Sequence, residues 1–284
     1  KTSDAFFLSF LYAPVFLTLW AGQLGLGLGL LPLCAGYFLV LRQRPLAGGL
    51  VWSLLLLKPQ YFLAAGFVAL TCALRRRFRT LIGIMLGLTV LVALTILTFS
   101  PSVTLQWLLS HKVSDAYFFE GLQGIPSHLL TGLPANLLVL FPVNDRRAVK
   151  LPIYAGAAAL WLLGLWFCMK AKWSQLEDSA RVSLTFVIGL ILSSLTLPHL
   201  LYYDLCVLLP VGFLLLAHNE PLPAETGLRT IAVLGWITVS GFLPLLLVFN
   251  RQKWLPLILE LILLVLFLLL LRQVNKFHNA ARQA

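Results

Sequence analysis

Residues 80–99 read TLIGIMLGLTVLVALTILTF, twenty positions without a charged side chain. A helix needs about 20 apolar residues to cross a hydrocarbon layer of about 30 Å. In lipid every backbone N–H and C=O must be satisfied within its own segment, so such a run is a helix. Residues 254–271, WLPLILELILLVLFLLLL, repeat the pattern with one acid. The rest of the chain agrees: 60% of its 284 residues are hydrophobic and 11% are charged. A soluble domain carries roughly 25% charged residues. The alternating pattern of a membrane barrel is absent. The chain therefore reads as an all-α polytopic membrane protein.

Ten apolar segments can be drawn, at 5–20, 22–41, 45–57, 60–74, 80–99, 151–169, 182–198, 200–217, 229–249 and 254–271. The pair 45–57 and 60–74 is short and meets at Lys58-Pro59-Gln60, as a thin hairpin or re-entrant pair would. Residues 100–150 form the one long link, rich in Pro and Gly yet carrying Trp107, Tyr117, Phe118 and Phe119. Helices lying in the membrane interface fit it. No soluble domain stands out, so residues 1–284 read as a single transmembrane domain. Its four cysteines lie in or beside apolar runs with no CxxC spacing, as small buried hydrophobes do.

The formal charge is +11. The basic residues sit in short links between apolar runs, which points to topology and not to nucleic acid. With ten crossings, one side collects Lys1, Arg42, Arg44, Arg75, Arg76, Arg77, Arg79, Lys170, Lys172, Arg181, Arg229, Arg272, Lys276 and Arg282. The other collects half as many: Lys58, Lys112, Arg146, Arg147, Lys150, Arg251 and Lys253. The richer side is expected to be cytoplasmic, with the C-terminus there and the 100–150 link, Lys58 and the turn at 198–204 outside. The Arg75–Arg79 run suits anionic membrane lipid.

Three places carry polar residues in apolar surroundings. Lys58, in LLLLKPQYFL, is either a functional cation, such as a phosphate ligand, or a snorkelling helix end. Pro59 breaks the helix beside it. His199, Tyr202, Tyr203 and Asp204 follow Pro198 in LTLPHLLYYDLCVLLP. Read as one helix, Pro198 opens the first turn, His199 and Tyr203 share a face, and Asp204 lies well round from His199. An acid there needs a cation, and Lys58 is one candidate. Gln23 opens GQLGLGLGLL, where Gly22, Gly25, Gly27 and Gly29 permit close packing and do not match a phosphate loop. In the long link His111, Lys112, Asp115, Glu120, Gln123 and His128 are weaker candidates. Glu260 stands alone in the last segment and reads as a buried structural acid. No hydrolase, nucleotide or metal-ligand motif occurs.

The strings GQLGLGLGLL, RQRPLAGGLVWSLLLLKPQYFL, RRRFRTLIG and LPHLLYYDLCVLLP, in that order, resemble the polytopic glycosyltransferases of family 87 in the GT-C fold class. The resemblance covers most of residues 13–217. It implies a GT-C-like bundle at the cytoplasmic (inner) membrane. It implies transfer of a hexose, mannose above all, from a polyprenyl-phosphate donor to a glycan or lipid acceptor at the outer face. The residues carried over are Gln23, Lys58, Gln60, His199, Tyr203 and Asp204, with no metal and no cofactor. The acidic base of such enzymes sits in a first outer loop, which is expected upstream of Lys1; Asp204 is the substitute within the chain. A flippase or carrier of a lipid-linked sugar, or a non-catalytic membrane subunit, are the competing readings.

Overall fold

A computed structural model of the protein describes residues 9, 11–109, 129–170, 178–198, 200–216, 226–249, 252 and 254–280. The order is α1 (Ala13–Trp20), a π-helical turn (Gly25–Leu30) running into α2 (Leu31–Leu41), and α3 (Pro45–Ser53). Two 3₁₀ turns follow, Leu54–Leu57 and Pro59–Tyr61, then α4 (Phe62–Leu74), α5 (Arg79–Phe99) and α6 (Pro101–Leu108). Next come β1 (Leu130–Thr131), α7 (Leu133–Leu140), α8 (Val143–Met169), α9 (Asp178–Thr196) and β2 (Leu200–Leu201). A 3₁₀ helix (Tyr202–Leu208), α10 (Leu209–Leu216), α11 (Thr226–Val248) and α12 (Leu255–Ala280) complete it.

Among the described residues five helices are long and apolar enough to cross a membrane: Arg79–Phe99, Asn144–Met169, Asp178–Thr196, Arg229–Val248 and Leu255–Arg272. The stretches Gly25–Leu41, Pro45–Leu57, Pro59–Leu74 and Tyr202–Leu215 are apolar helices of 10–17 residues. The described apolar stretches are thus unequal helices, five of spanning length, and ten crossings are not established. Large apolar side chains cover the outside of α5, among them Met85, Leu86, Val90, Leu94 and Leu97. A water-facing helix does not leave such a surface bare, so the protein is a multi-pass membrane protein.

α9 is the central pillar. Phe186, Val187, Ile188, Leu190, Leu192 and Leu195 are fully buried. Its hydroxyls are satisfied along its own backbone: Ser183 donates to Ser179 O at 2.8 Å, Ser193 to Gly189 O at 2.7 Å and Thr196 to Leu192 O at 2.6 Å. Polar side chains are thereby buried without an unpaired group. α3 and α5 meet backbone to backbone, where a Cβ on Gly49 would lie 2.1 Å from Thr80 O and one on Gly83 2.2 Å from Leu46 O. α2 holds α3 through Trp52, whose indole N–H donates to Leu33 O at 3.0 Å.

The all-α reading holds, with one short addition: β1 and β2 pair antiparallel, Leu130 with Leu201 and Thr131 with Leu200. Two expectations change. α8 begins at Val143, so Arg146, Arg147 and Lys150 stand on its first turns and not in a link. Pro142 caps it and Asp145 in the first turn suits the helix dipole, which offsets the charged composition. Pro198 opens no helix. α9 ends at Thr196, Leu200 and Leu201 are extended, and the next helix starts at Tyr202. His199, expected to share a face with Tyr203, lies outside the described residues. The link contributes α6, β1 and α7; its residues 110–128 lie outside the described residues.

Candidate functional site

Lys58 owes its position to Pro59. A residue before proline is driven out of the α region, and Lys58 takes φ −137°, ψ 74° between the two 3₁₀ turns. It is the apex of a hairpin whose arms are Pro45–Leu57 and Pro59–Leu74. Its backbone stays satisfied: its N–H donates to Leu55 O and its carbonyl accepts from Tyr61 N, both at 3.0 Å.

Asp204 is oriented by a local rule. It is the third residue of the Tyr202–Leu208 helix, and its Oδ2 accepts from the N–H of Leu201, the capping residue, at 3.2 Å. This is the reach-back half of a capping box. Oδ1 then faces the hairpin apex, 3.2 Å from Lys58 Nζ. Asp204 is 2% exposed and Lys58 15%. The contact is a buried charge pair, and Lys58 keeps part of its surface open. Tyr203 presents its ring to the same ammonium at 5.6 Å, within cation–π range.

The floor is tightly made. Tyr61 Oη lies 2.9 Å from Cys206 Sγ. Thr18 Oγ1 lies 2.9 Å from Tyr203 O and 2.7 Å from Pro14 O, sharing its one proton. Tyr12 donates to Leu205 O at 3.1 Å. Tyr12 also lines an apolar cavity of about 110 Å³ with Leu209, Trp236 and Phe267. An apolar cavity thus abuts the floor of the Lys58 site at Tyr12.

The structure brings Lys58, Tyr203 and Asp204 together. Gln60 is half-buried beside the apex, with Oε1 unpartnered. Gln23 is exposed at the start of the glycine turn, two residues before Gly25. His199 lies outside the described residues, as do His111, Lys112, Asp115, Glu120, Gln123 and His128. Sequence reading missed Tyr61, Thr18 and Cys206. Cys206 was read as a small hydrophobe; it is buried as expected but also hydrogen-bonds. Tyr61 follows the KPQ string directly, and that adjacency was the available signal. Glu260 is fully buried, beside the Gly132 backbone, and takes no part in the Lys58 site. Among the described residues no three His, Cys, Asp or Glu side chains gather where they would hold a metal.

The family model described as glycosyltransferase family 87 matches residues 2–198. The match includes Gln23, Lys58 and Gln60 and stops short of Tyr203 and Asp204. No curated protein and no solved structure matches the chain.

Proposed function

The chain belongs to glycosyltransferase family 87 and is a membrane glycosyltransferase with a sugar donor and an acceptor, and from that premise we propose that Lys58 is the cation that receives the phosphate of a polyprenyl-phosphate hexose, mannose in the first instance. The observation that carries this reading is the 3.2 Å pair of Lys58 with the buried Asp204, with the ammonium left partly open.

In the reaction the acceptor hydroxyl oxygen bonds to the anomeric carbon as the bond from that carbon to the phosphate oxygen breaks. The hydroxyl proton passes to a base, and polyprenyl phosphate departs with the electron pair. Charge grows on the leaving phosphate, and a preorganised cation in a dry site stabilises that growth more than it stabilises the ground state. Asp204 aims Lys58. Tyr203 restricts it to one side. Gln60, with a free acceptor, is suited to a sugar hydroxyl, and Gln23 to the polar group at the rim. The apolar cavity under Tyr12 favours a lipid tail beside the phosphate. A GT-C-type bundle in the cytoplasmic membrane, with this site outside and the C-terminus inside, accords with the basic residues.

The test uses purified protein in nanodiscs with labelled polyprenyl-phosphate-mannose and extracted envelope lipid and glycan acceptors. Wild type transfers label, and Lys58→Met combined with Asp204→Asn, which removes both charges, does not. Undiminished transfer in that pair of substitutions overturns the assignment.

A further inference from the structure

Tyr61 joins the two halves of the site from beneath. It is 1% exposed. Its ring lies across the π-helical glycine turn: a Cβ on Gly29 would stand 2.7 Å from Cε2 and 2.9 Å from Cζ, and one on Gly25 would stand 3.1 Å from Oη. The same Gly25 position is 3.8 Å from Lys58 Cε. One glycine face therefore receives both the tyrosine and the lysine stem. Any side chain at Gly29 would push the ring away. π-turns of this kind concentrate at functional sites.

The far end of Tyr61 fixes the partner. Its Oη meets Cys206 Sγ at 2.9 Å, and Cys206 lies two residues beyond Asp204 in the Tyr202–Leu208 helix. Tyr61 itself sits three residues beyond Lys58 in the hairpin apex. The Oη–Sγ contact is thus a buried side-chain tie between the segment that carries the cation and the segment that carries the anion. Coulomb attraction alone does not select one separation, whereas a rigid ring seated on backbone and hydrogen-bonded at its tip does.

We propose that Tyr61 is a positioning residue: its hydrogen bond to Cys206 across the Gly25–Gly29 face sets the spacing of Lys58 from Asp204, and with it the share of the ammonium offered to a donor phosphate. Only the last clause rests on the proposed donor. The spacing itself is a property of the protein alone, and it can be read without substrate.

The experiment is site-resolved acylation of Lys58 by an N-hydroxysuccinimide ester, followed by mass spectrometry on the full chain in nanodiscs. Asp204→Asn frees the amine and is expected to raise the Lys58 rate about tenfold, as loss of a charged hydrogen-bonding partner does. Tyr61→Phe and Cys206→Ala remove the same tie from opposite ends, and each is expected to raise the rate about threefold. Cys206→Ser keeps a hydrogen-bonding atom and stays near wild type. Tyr61→Phe adds nothing in the Asp204→Asn background. A merely structural role would not give this pattern, and thermal midpoints identify any variant that fails to fold; the Cys206 pair then decides alone. Lys58 equally protected in Tyr61→Phe and Cys206→Ala overturns the proposal. So does Cys206→Ser matching Cys206→Ala, which would mean packing and not hydrogen bonding. If the acylation pattern appears but wild type transfers no sugar from a lipid phosphate, positioning stands and the donor reading falls.

Discussion

Removing Lys58 should destabilise this protein more than removing its partner Asp204. Asp204 is 2% exposed and Lys58 15%, at 3.2 Å. At an effective dielectric of about 20 that separation corresponds to roughly 5 kcal/mol of attraction. Lys58→Met strands a carboxylate that keeps only the Leu201 N–H. Breaking one partner of a buried pair costs about 3–5 kcal/mol. Protonating the stranded acid at pH 7, from an ordinary value of about 3.9, costs about 4 kcal/mol and caps the penalty. Asp204→Asn instead strands a long amine that is already partly open. It can swing outward, so about 1–3 kcal/mol is expected. The double substitution leaves an amide that still accepts from Leu201 and no charge at all; its cost should be about 1–2 kcal/mol. Equilibrium unfolding in mixed micelles measures all three. A double variant whose loss equals the sum of the single losses, or an Asp204→Asn loss above that of Lys58→Met, would refute the argument. Lowering the pH toward 4 should also shrink the Lys58→Met loss and leave the double variant unmoved.

Other outcomes follow from particular contacts. Glu260 is fully buried and no described cation pairs with it; Glu260→Gln, whose amide oxygen can still accept from the Gly132 N–H, should raise stability by about 1–3 kcal/mol in the same unfolding assay. Gly49→Ala places a methyl 2.1 Å from Thr80 O; the α3–α5 contact must open, at a cost of about 1–3 kcal/mol, visible as lost protection from hydrogen exchange in α3. Arg77 donates to Asp178 at 2.8 Å, which holds its guanidinium above its ordinary pKa. Both partners are largely exposed, so Arg77→Ala should cost less than about 1 kcal/mol, and added salt should erase the difference.

The helices were legible because lipid leaves a chain few choices. A run such as 80–99 has one way to satisfy its backbone, and α5 covers it almost residue for residue. Three features were not legible. Hydropathy averages out charge, so the first turns of α8, with Asp145, Arg146, Arg147 and Lys150, read as a link. A two-residue ladder has too little sequence to show a period, so β1 and β2 left no trace. The reading of Pro198 as a helix start failed for the same reason: Leu200 and Leu201 are extended, and the helix begins only at Tyr202.

The site was half legible, and the half that was has a physical reason. A lysine inside apolar sequence needs an anion, and the chain has only ten acidic residues. Two of them, Asp204 and Glu260, lie in apolar segments. The choice between them is tertiary and depends on the hairpin. Its first arm, Pro45–Leu57, has 13 residues, or about 20 Å of helix against a hydrocarbon layer of about 30 Å. An arm that short need not carry its apex lysine clear of the apolar layer, and here the lysine is paired from within by Asp204. A full-length arm would have delivered Lys58 to water, where it would need no partner and could hold no phosphate in a dry site. The brevity of the 45–57 run thus accords with the buried pair. Tyr61, which steadies that pair, was invisible for the complementary reason: its contacts are with glycine backbone and a thiol, and neither leaves a mark in hydropathy or charge.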